Sequence, residues 1–438
     1  MADTAASAPR STLPKRAFAI IFWSSVATAV GNNGLTSVLP LIGRSLNIPD
    51  WMVVSIFSLS AILWALSSPF WARASDRYGR KPLMLVGLTG FMVSMTLCGL
   101  VVGAGLRQLA APLAIFIMLL LGRSIFGLFG AASNPAYQAY IADHTPRAER
   151  TQAMAMLAGA FGIGTLVGPW LAPYFIYPVV GIAGPLFTFA AIAAVMLLVV
   201  WRFLPESRRR PQAPIEQAEE AIVEKQRPMW RDPRVAPFAL YGFVVATCQT
   251  AQQQTLGFLV IDKLGVSPMA AKEQIATAMA FGALAGLLAQ WGIIRMFQMT
   301  PKQLLRWGVA CGAAGNLLVA IAPDYHTVVA GYALASMGFG FARPGFTAGS
   351  SLAVGWKDQA RVAGAIAAVN GINAVFAPAF MVLYRANHSA PFFLNMGLML
   401  CLLVYAFVSK PLRNADPAAV TREEATMATI ERSDEGGV

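Results

Sequence analysis

Residues 82–104 read PLMLVGLTGFMVSMTLCGLVVGA, a stretch without a single charged side chain. A helix needs about 20 mostly apolar residues to cross the hydrocarbon core of a bilayer, and this stretch meets that requirement. Stretches of the same kind recur along the whole chain and are separated by short charged loops. We predict spans over residues 17–43, 51–72, 82–104, 111–142, 151–172, 180–202, 235–261, 271–294, 305–322, 328–355, 362–385 and 391–409.

The composition also indicates that lipid is the solvent of this chain. Of the 438 residues, 57% are hydrophobic and only 12% are charged, whereas soluble domains carry about 25% charged residues. Only helices and closed barrels satisfy the backbone within lipid, and barrels show alternating strands of about ten residues instead. The predicted fold class is therefore an all-α membrane protein with twelve transmembrane helices.

The net charge of +12 is explained by where the basic residues lie. With the first residues placed in the cytoplasm, the external loops hold only Arg44, Arg107, Lys263, Lys272 and Arg385. Arg123 and Arg343 lie inside spans, and the rest of the 33 lysines and arginines fall in cytoplasmic segments. This asymmetry follows the positive-inside rule and predicts a multi-pass protein of the inner (cytoplasmic) membrane with both termini in the cytoplasm. The basicity thus indicates topology and not nucleic-acid binding.

A long polar segment divides the spans into two groups of six. Residues 203–234 mix arginines, glutamates and prolines and predict a cytoplasmic linker between an N-terminal bundle (17–202) and a C-terminal bundle (235–409). Residues 1–16 are predicted to be a cytoplasmic segment, and the cytoplasmic tail 410–438 is expected to be disordered. Pro135 and Pro169 recur at the same spacing as Pro344 and Pro378, which indicates two pseudo-symmetric bundles. Such repeats place a substrate site near the membrane midplane.

The loop between the second and third spans carries the first recognisable motif. It reads ARASDRYGRKPLMLVG over residues 72–87, and its pattern is formed by Asp76, Arg77, Gly79, Arg80 and Lys81. This resembles the loop signature of the major facilitator superfamily, with Ala72 where the family has a leading glycine. The resemblance implies the major facilitator fold and a gating role, in which the carboxylate meets a helix N-terminus and the arginines pair with acids. The alternative is a basic topological loop that contains one acid.

Two further motifs support the same resemblance. Arg123 followed by Gly127 resembles the family's Arg-x-x-x-Gly pattern in the fourth span. Gly164, Gly168 and Pro169 match the Gly-x-x-x-Gly-Pro core of proton-coupled exporters, although close helix packing and a proline bend would also explain them. The chain is identified as a member of the superfamily, closest to the twelve-span drug:proton antiporters that include the tetracycline efflux pumps.

Polar side chains inside the spans are the candidates for substrate contact, because intramembrane polar groups are costly and usually face the bundle interior. They are Asn32, Asn33, Asn134, Tyr137, Gln138, Gln249, Gln252, Gln253, Arg343, Asn370 and Asn373. Asn33 and Gln252 occupy matching positions in the repeat, so both are expected to face the central cavity. The alternative for this group is hydrogen bonding between helices. Arg343 lies about halfway along the tenth span and needs an anionic substrate, a lipid headgroup or free backbone carbonyls as its partner.

No acidic residue falls in the middle of a predicted span. The resemblance implies an aspartate in the first span of tetracycline pumps, where Thr28 stands here. Proton coupling needs a group that titrates near physiological pH, and the candidates are Asp76, Asp143, Asp262 and Glu273 at helix ends. We expect the proton gradient to be the energy source, without a cofactor or a metal.

The leading hypothesis is a secondary active transporter that exports an amphipathic compound or drug by alternating access with proton exchange. The alternative is an importer or facilitator of an organic anion, and a sensor that binds a substrate without transport is a third possibility. We expect a monomer in the bilayer that handles a small molecule and binds no nucleic acid. No nucleotide-binding loop or paired catalytic groups indicate an enzyme.

Overall fold

The computed structural model describes residues 14–145, 147–206, 231–354 and 358–415. Residues 1–13, most of the predicted linker and residues 416–438 of the predicted tail lie outside this range, so the predicted domain limits there stay predictions. The chain forms two compact units. Unit 1 comprises Met1–Gln217 and Val266–Ala276, and unit 2 comprises Ala218–Gly265 and Thr277–Val438.

The first half of the chain folds into seven α-helices, and no β-strand occurs among the described residues. They are α1 (Lys15–Ser45), α2 (Asp50–Tyr78), α3 (Arg80–Leu106), α4 (Pro112–Phe129), α5 (Ser133–His144), α6 (Arg147–Leu171) and α7 (Gly184–Phe203). The second half continues with α8 (Ala236–Leu264), α9 (Lys272–Leu287), α10 (Ile294–Met296), α11 (Pro301–Ala320), α12 (Tyr325–Leu352), α13 (Gln359–Ile372), α14 (Ala377–Ala386), α15 (Ala390–Val408) and α16 (Lys410–Arg413).

Each of the twelve predicted spans coincides with a helix or a run of consecutive helices. Six are long and apolar enough to cross a membrane by length and composition alone: Asp50–Ser75, Arg80–Leu106, Pro112–His144, Gly184–Phe203, Lys272–Met296 and Ala390–Val408. The all-α fold is confirmed, and the membrane-spanning character of the other helices stays a prediction.

Some of the predicted spans are interrupted rather than continuous, and proline explains two interruptions. A 3₁₀ segment, Gly130–Ala132, separates α4 from α5, and another, Asn373–Phe376, separates α13 from α14. The ring of a proline inside a helix clashes with the carbonyl four residues earlier. For Pro135 and Pro378 that carbonyl lies within the respective 3₁₀ segment, so the helix changes its winding where the clash would fall.

Within each unit, a buried apolar cluster holds the helices together. In unit 1, Ile21, Met84 and Tyr140 belong to a cluster that joins α1, α3 and α5. In unit 2, Tyr241 and Leu305 belong to a cluster that joins α8, α11, α12 and α15. These clusters fix the helix faces on which the polar candidates lie.

Residues 410–415, the described part of the predicted tail, do not follow the prediction of disorder from Lys410 onward. Residues Lys410–Arg413 form the short helix α16, and Leu412 is only 1% exposed. Leu412 and Ala415 belong to the same buried cluster as Leu305 and Leu402, so apolar burial orders this segment. The prediction failed because it weighed the polarity of the tail and overlooked the single leucine.

Candidate functional site

The loop motif begins with a backbone conformation that only glycine adopts readily. Gly79 ends α2 and precedes α3 with φ +98° and ψ 166°, a region essentially restricted to glycine. A Cβ atom at this position would lie 2.8 Å from Oε1 of Glu206. Gly79 therefore makes a sharp reversal that brings the start of α3 close to the chain after α7.

Arg80 anchors this reversal to two other helices of unit 1. Its side chain is 5% exposed, and its Nε donates to Oδ2 of Asp143 in α5 at 3.0 Å. Its NH1 donates to Oγ of Ser75 in α2 at 3.1 Å. The backbone N–H of Lys81 donates to Oε1 of Glu206 at 3.3 Å. The motif thus joins α2, α3, α5 and the end of α7 through one buried cation and two carboxylates.

The other charged residues of the motif are placed less tightly. Arg77 is exposed, and its guanidinium carbon lies 5.4 Å from the ring centroid of Tyr78. Asp76 lies in the last turn of α2, and its side chain is outside the described atoms. The gating role of these residues stays a prediction.

Arg123 is a deeply buried cation in α4 with an incomplete set of partners. The residue is 2% exposed, and its NH2 donates to Oδ1 of Asn32 in α1. Its guanidinium carbon lies 5.1 Å from the ring centroid of Phe57 and 4.6 Å from that of Phe126. Its Nε and NH1 are buried without an acceptor among the described residues. A guanidinium with N–H donors that are not used in hydrogen bonds can bind a further acceptor.

The two glycines of the exporter motif bring α6 against α1, next to Asn32. A Cβ atom on Gly164 would collide with Ala29, and one on Gly168 would collide with the carbonyl oxygen of Val30. Gly127 of the other motif meets Ser60 of α2 in the same way, since an added Cβ would lie 2.5 Å from its carbonyl oxygen. Pro169 follows inside α6. These motif residues therefore set helix contacts around α1 and α4.

Asn33 of α1 and the three polar candidates of α5 have different surroundings. Asn33 donates to the Ala29 carbonyl of its own helix at 2.9 Å. Asn134 and Gln138 are exposed and hydrogen-bonded to each other at 3.4 Å. Tyr137 is 2% exposed and packs in the apolar cluster of unit 1. Tyr137 thus lies on a different face from the two amides.

Gln252 takes part in a buried network of amides in unit 2. It is 1% exposed, and its Oε1 accepts from Asn316 in α11 at 3.3 Å. Asn395 in α15 donates to Oδ1 of Asn316 at 3.2 Å and to the Cys248 carbonyl at 3.3 Å. Here Gln252 forms the interhelical hydrogen bonds that the sequence left as the alternative. Sequence analysis does not single out Asn316 and Asn395, although each is the single amide side chain in its predicted span, 305–322 or 391–409.

The remaining candidates of unit 2 are partly buried. Oδ1 of Asn373 accepts from Thr250 at 3.0 Å. Gln249 and Gln253 are half-buried on α8, and Arg343 is half-buried on α12, where its carbonyl accepts from Thr347 at 3.0 Å. Asn370 lies on α13 with its side chain outside the described atoms. Their contact with a substrate stays a prediction.

A family model described as Major Facilitator Superfamily matches residues 21–378. The chain belongs to the major facilitator superfamily. The resemblance drawn from the loop and span motifs is thereby confirmed, and the protein is a membrane transporter rather than a member of an enzyme family.

Its relatives include proteins named for drug resistance. Multidrug resistance protein 2 of Bacillus subtilis (strain 168) is 24% identical over 412 residues, which cover 93% of this chain and 98% of that protein. The class H tetracycline resistance protein of Pasteurella multocida is 28% identical over 219 residues, covering 48% of this chain and 47% of that protein.

Solved structures of transporters share its fold. A POT family transporter in complex with 5-aminolevulinic acid is similar with a TM-score of 0.68 and 13% identity, covering 92% of this chain and 98% of that one. The human organic anion transporter MFSD10 (TETRAN) is similar with a TM-score of 0.61 and 20% identity, covering 91% and 100%.

Within the described range, the acidic residues of this transporter lie at helix ends or between helices, and none lies in the middle of a helix. Asp143 in the last turn of α5 is paired with Arg80. Oδ2 of Asp262 in the last turn of α8 accepts from Tyr384 at 2.6 Å and lies 3.8 Å from Nε2 of His388. Glu273 lies in the first turn of α9. Among the described residues, Arg123 is therefore hydrogen-bonded to the amide of Asn32 and forms no ion pair with a carboxylate.

Proposed function

We propose that this transporter exports an amphipathic organic compound by alternating access and that the proton gradient drives it. The observation that carries the proposal is the contact of α6 with α1. Gly164 and Gly168 meet the backbone around Val30 at a distance that excludes a methyl group. This is the helix pair whose motif resembles that of proton-coupled exporters, and a multidrug resistance protein is similar over almost the whole chain.

The proposal is tested in cells that lack their own efflux pumps. Expression should lower the accumulation of some members of a panel of amphipathic drugs, and a protonophore should abolish this effect. Gly168→Ala should abolish it as well, because the methyl group collides with Val30. Gly159→Ala is the matched control on the same helix, since no atom lies within 4 Å of its added Cβ. Unchanged accumulation of every drug would contradict export.

For the coupling group the proposal takes Asp262. Its carboxylate accepts a hydrogen bond from Tyr384 and lies beside the imidazole of His388, so a proton could be shared among these groups. Asp262→Asn should remove the dependence of export on the proton gradient. Asp324→Asn is the control, because asparagine also caps the helix where Asp324 accepts from Thr327. Export that remains driven by the gradient in Asp262→Asn would exclude this residue.

A second candidate function is import or facilitated transport of an organic anion. The observation that favours it is Arg123, whose Nε and NH1 have no acceptor among the described residues. Arg343 of unit 2 is a separate candidate for contact with such an anion. Loss of one charged partner from a desolvated pair costs about 2–5 kcal/mol, or roughly 30- to several-thousand-fold in affinity. Equal binding of organic anions to the wild type, Arg123→Gln and Arg343→Ala would remove this candidate.

The proposal includes an orientation in the membrane. Both termini and the loop motif face the cytoplasm of a bacterial inner membrane, as the distribution of lysine and arginine indicates. Cysteine tagging in intact cells should label position 107 from outside and position 207 only after permeabilisation. Labelling of position 207 from outside would reverse the orientation. The protein is proposed to act as a monomer without a cofactor.

A further inference from the structure

One end of unit 2 gathers four basic side chains. The start of α11 and the chain after α15 meet there, because the backbone N–H of Lys302 donates to the Ala415 carbonyl at 3.1 Å. Lys302 and Arg306 lie four residues apart on α11 and therefore share one face. Lys410 and Arg413 lie on α16, which is held against α11 and α15 by the buried Leu412. We call Lys302, Arg306, Lys410 and Arg413 the basic end cluster.

None of these four cations forms an ion pair with a carboxylate among the described residues. By contrast, buried Arg80 of unit 1 is paired with Asp143. Arg306 is the most restricted member of the cluster. Its guanidinium carbon lies 3.9 Å from the ring centroid of Phe407 in α15, and its buried Nε has no acceptor in the part of the chain that the structure describes. This cation–π contact restricts the position of the guanidinium and leaves its N–H donors for another partner.

Capping of α11 does not account for Lys302 and Arg306. The first turn of α11 is already capped, because Thr300 and Gln303 form a reciprocal capping box. Arg306 lies about 7–8 Å along the helix from Pro301, given the rise of 1.5 Å per residue. A long basic side chain at that depth extends toward the membrane surface while its stem stays among apolar groups.

The residues next to the cluster in the chain or in contact with it form an exposed apolar surface. Trp307 is 58% exposed, Phe407 51% and Val408 71%. In a chain that spans a membrane, such side chains meet lipid tails, and tryptophan is enriched at the level of the headgroups. Cations above an exposed apolar face complement a ligand that has a negative head and apolar tails.

We propose that the basic end cluster binds the phosphate headgroup of an anionic phospholipid, with Arg306 on Phe407 as its central contact and the acyl chains on the apolar face below. The matching position in unit 1 lacks this chemistry. Leu85 stands four residues after Lys81 where Arg306 follows Lys302, and Glu206 approaches the start of α3. The site therefore belongs to one unit and does not follow from the repeat.

The test measures binding of a fluorescent phosphatidylglycerol to the purified full-length protein in detergent. Each lysine or arginine near a membrane surface contributes about fivefold in affinity for anionic lipid. The double variant Lys302→Gln/Arg306→Gln should therefore bind roughly 25-fold more weakly. The control Lys15→Gln/Arg202→Gln removes two exposed cations at helix ends of unit 1 and should change affinity less than about threefold.

Other outcomes would overturn the proposal. Equal losses in the two double variants would show that only general charge attracts the lipid, and equal affinity of the wild type for phosphatidylcholine would show that the negative head is not recognised. Displacement of the lipid by low-millimolar inorganic phosphate would assign the cluster to free phosphate instead. Phe407→Leu provides an independent variant that keeps every charge and the apolar surface. It should weaken binding severalfold if the stacked guanidinium is the central contact, and unchanged binding would contradict that role.

Discussion

Two turns, one between α2 and α3 in unit 1 and one before α11 in unit 2, hold the start of a helix in place through different interactions. In unit 1 the N–H of Lys81 donates to the carboxylate of Glu206, which follows α7. In unit 2 the N–H of Lys302 donates to the backbone carbonyl of Ala415, which follows α16. Each contact ties the start of one helix to the chain after the unit's last long helix.

The difference lies in the charges around the two contacts. Unit 1 adds an ion pair, Arg80 with Asp143, whereas unit 2 uses the neutral capping box of Thr300 and Gln303. A neutral cap stabilises a helix start without any need for a buried cation. A helix start therefore does not require the charged version, and we propose that the ion pair controls a movement. Variants at the two turns test this difference.

The largest effect is expected for Arg80→Ala. The change removes the ion pair with Asp143, which is a quarter exposed, and the hydrogen bond to Ser75. Hydrogen bonds to charged groups contribute about 1.5–3 kcal/mol each, so the variant should lose stability by several kcal/mol and transport by tenfold or more. Transport into vesicles and thermal unfolding measure the two effects. The charge exchange Arg80→Asp/Asp143→Arg should recover part of both, and no recovery would mean that the pairing itself is not what matters.

Gly79→Ala is expected to have the next largest effect. Its backbone lies in a region that costs other residues on the order of 1–3 kcal/mol, and the new methyl group would press on Glu206. The corresponding change in unit 2, Thr300→Gly, should cost only a few tenths of a kcal/mol. Thermal unfolding of both variants compares them directly. Equal destabilisation would show that the two turns are equally constrained.

The sequence predicted the helices better than the contacts between them. Apolar runs predict the spans because the thickness of the bilayer sets their length, and the loop motif indicates the family. Partners of polar side chains were harder to predict, since the same periodicity fits a cavity or a neighbouring helix. The repeat predicts that Gln252 faces a cavity, but its side chain accepts from Asn316, and the motif that contains Arg123 does not predict its link to Asn32. These pairs join helices that are far apart in the chain. The rotation of each helix about its own axis decides which polar side chains meet, and that rotation cannot be read from a single sequence.

Thr300→Ala addresses the neutral turn and should have a moderate effect. It removes the side chain that accepts from the Gln303 N–H, and loss of such a cap costs about 1 kcal/mol. Because no charge is involved, we expect the unfolding temperature to fall while the transport rate per folded molecule stays unchanged. A loss of transport as large as that of Arg80→Ala would mean that the unit 2 turn also takes part in the movement.

Glu206→Gln should have the smallest effect of the series, and it separates charge from hydrogen bonding at the unit 1 turn. Glutamine keeps an oxygen that can accept from the Lys81 N–H but removes the negative charge. The residue is exposed, and an exposed charged contact contributes only about 0–1 kcal/mol. If the contact serves mainly to hold the backbone, as the Ala415 carbonyl does in unit 2, transport and stability should both stay close to those of the wild type. Glu206→Ala, which also removes the acceptor, should then be the more harmful variant. A severe transport defect in Glu206→Gln at unchanged stability would instead place this carboxylate with Asp143 among the charges that control the movement.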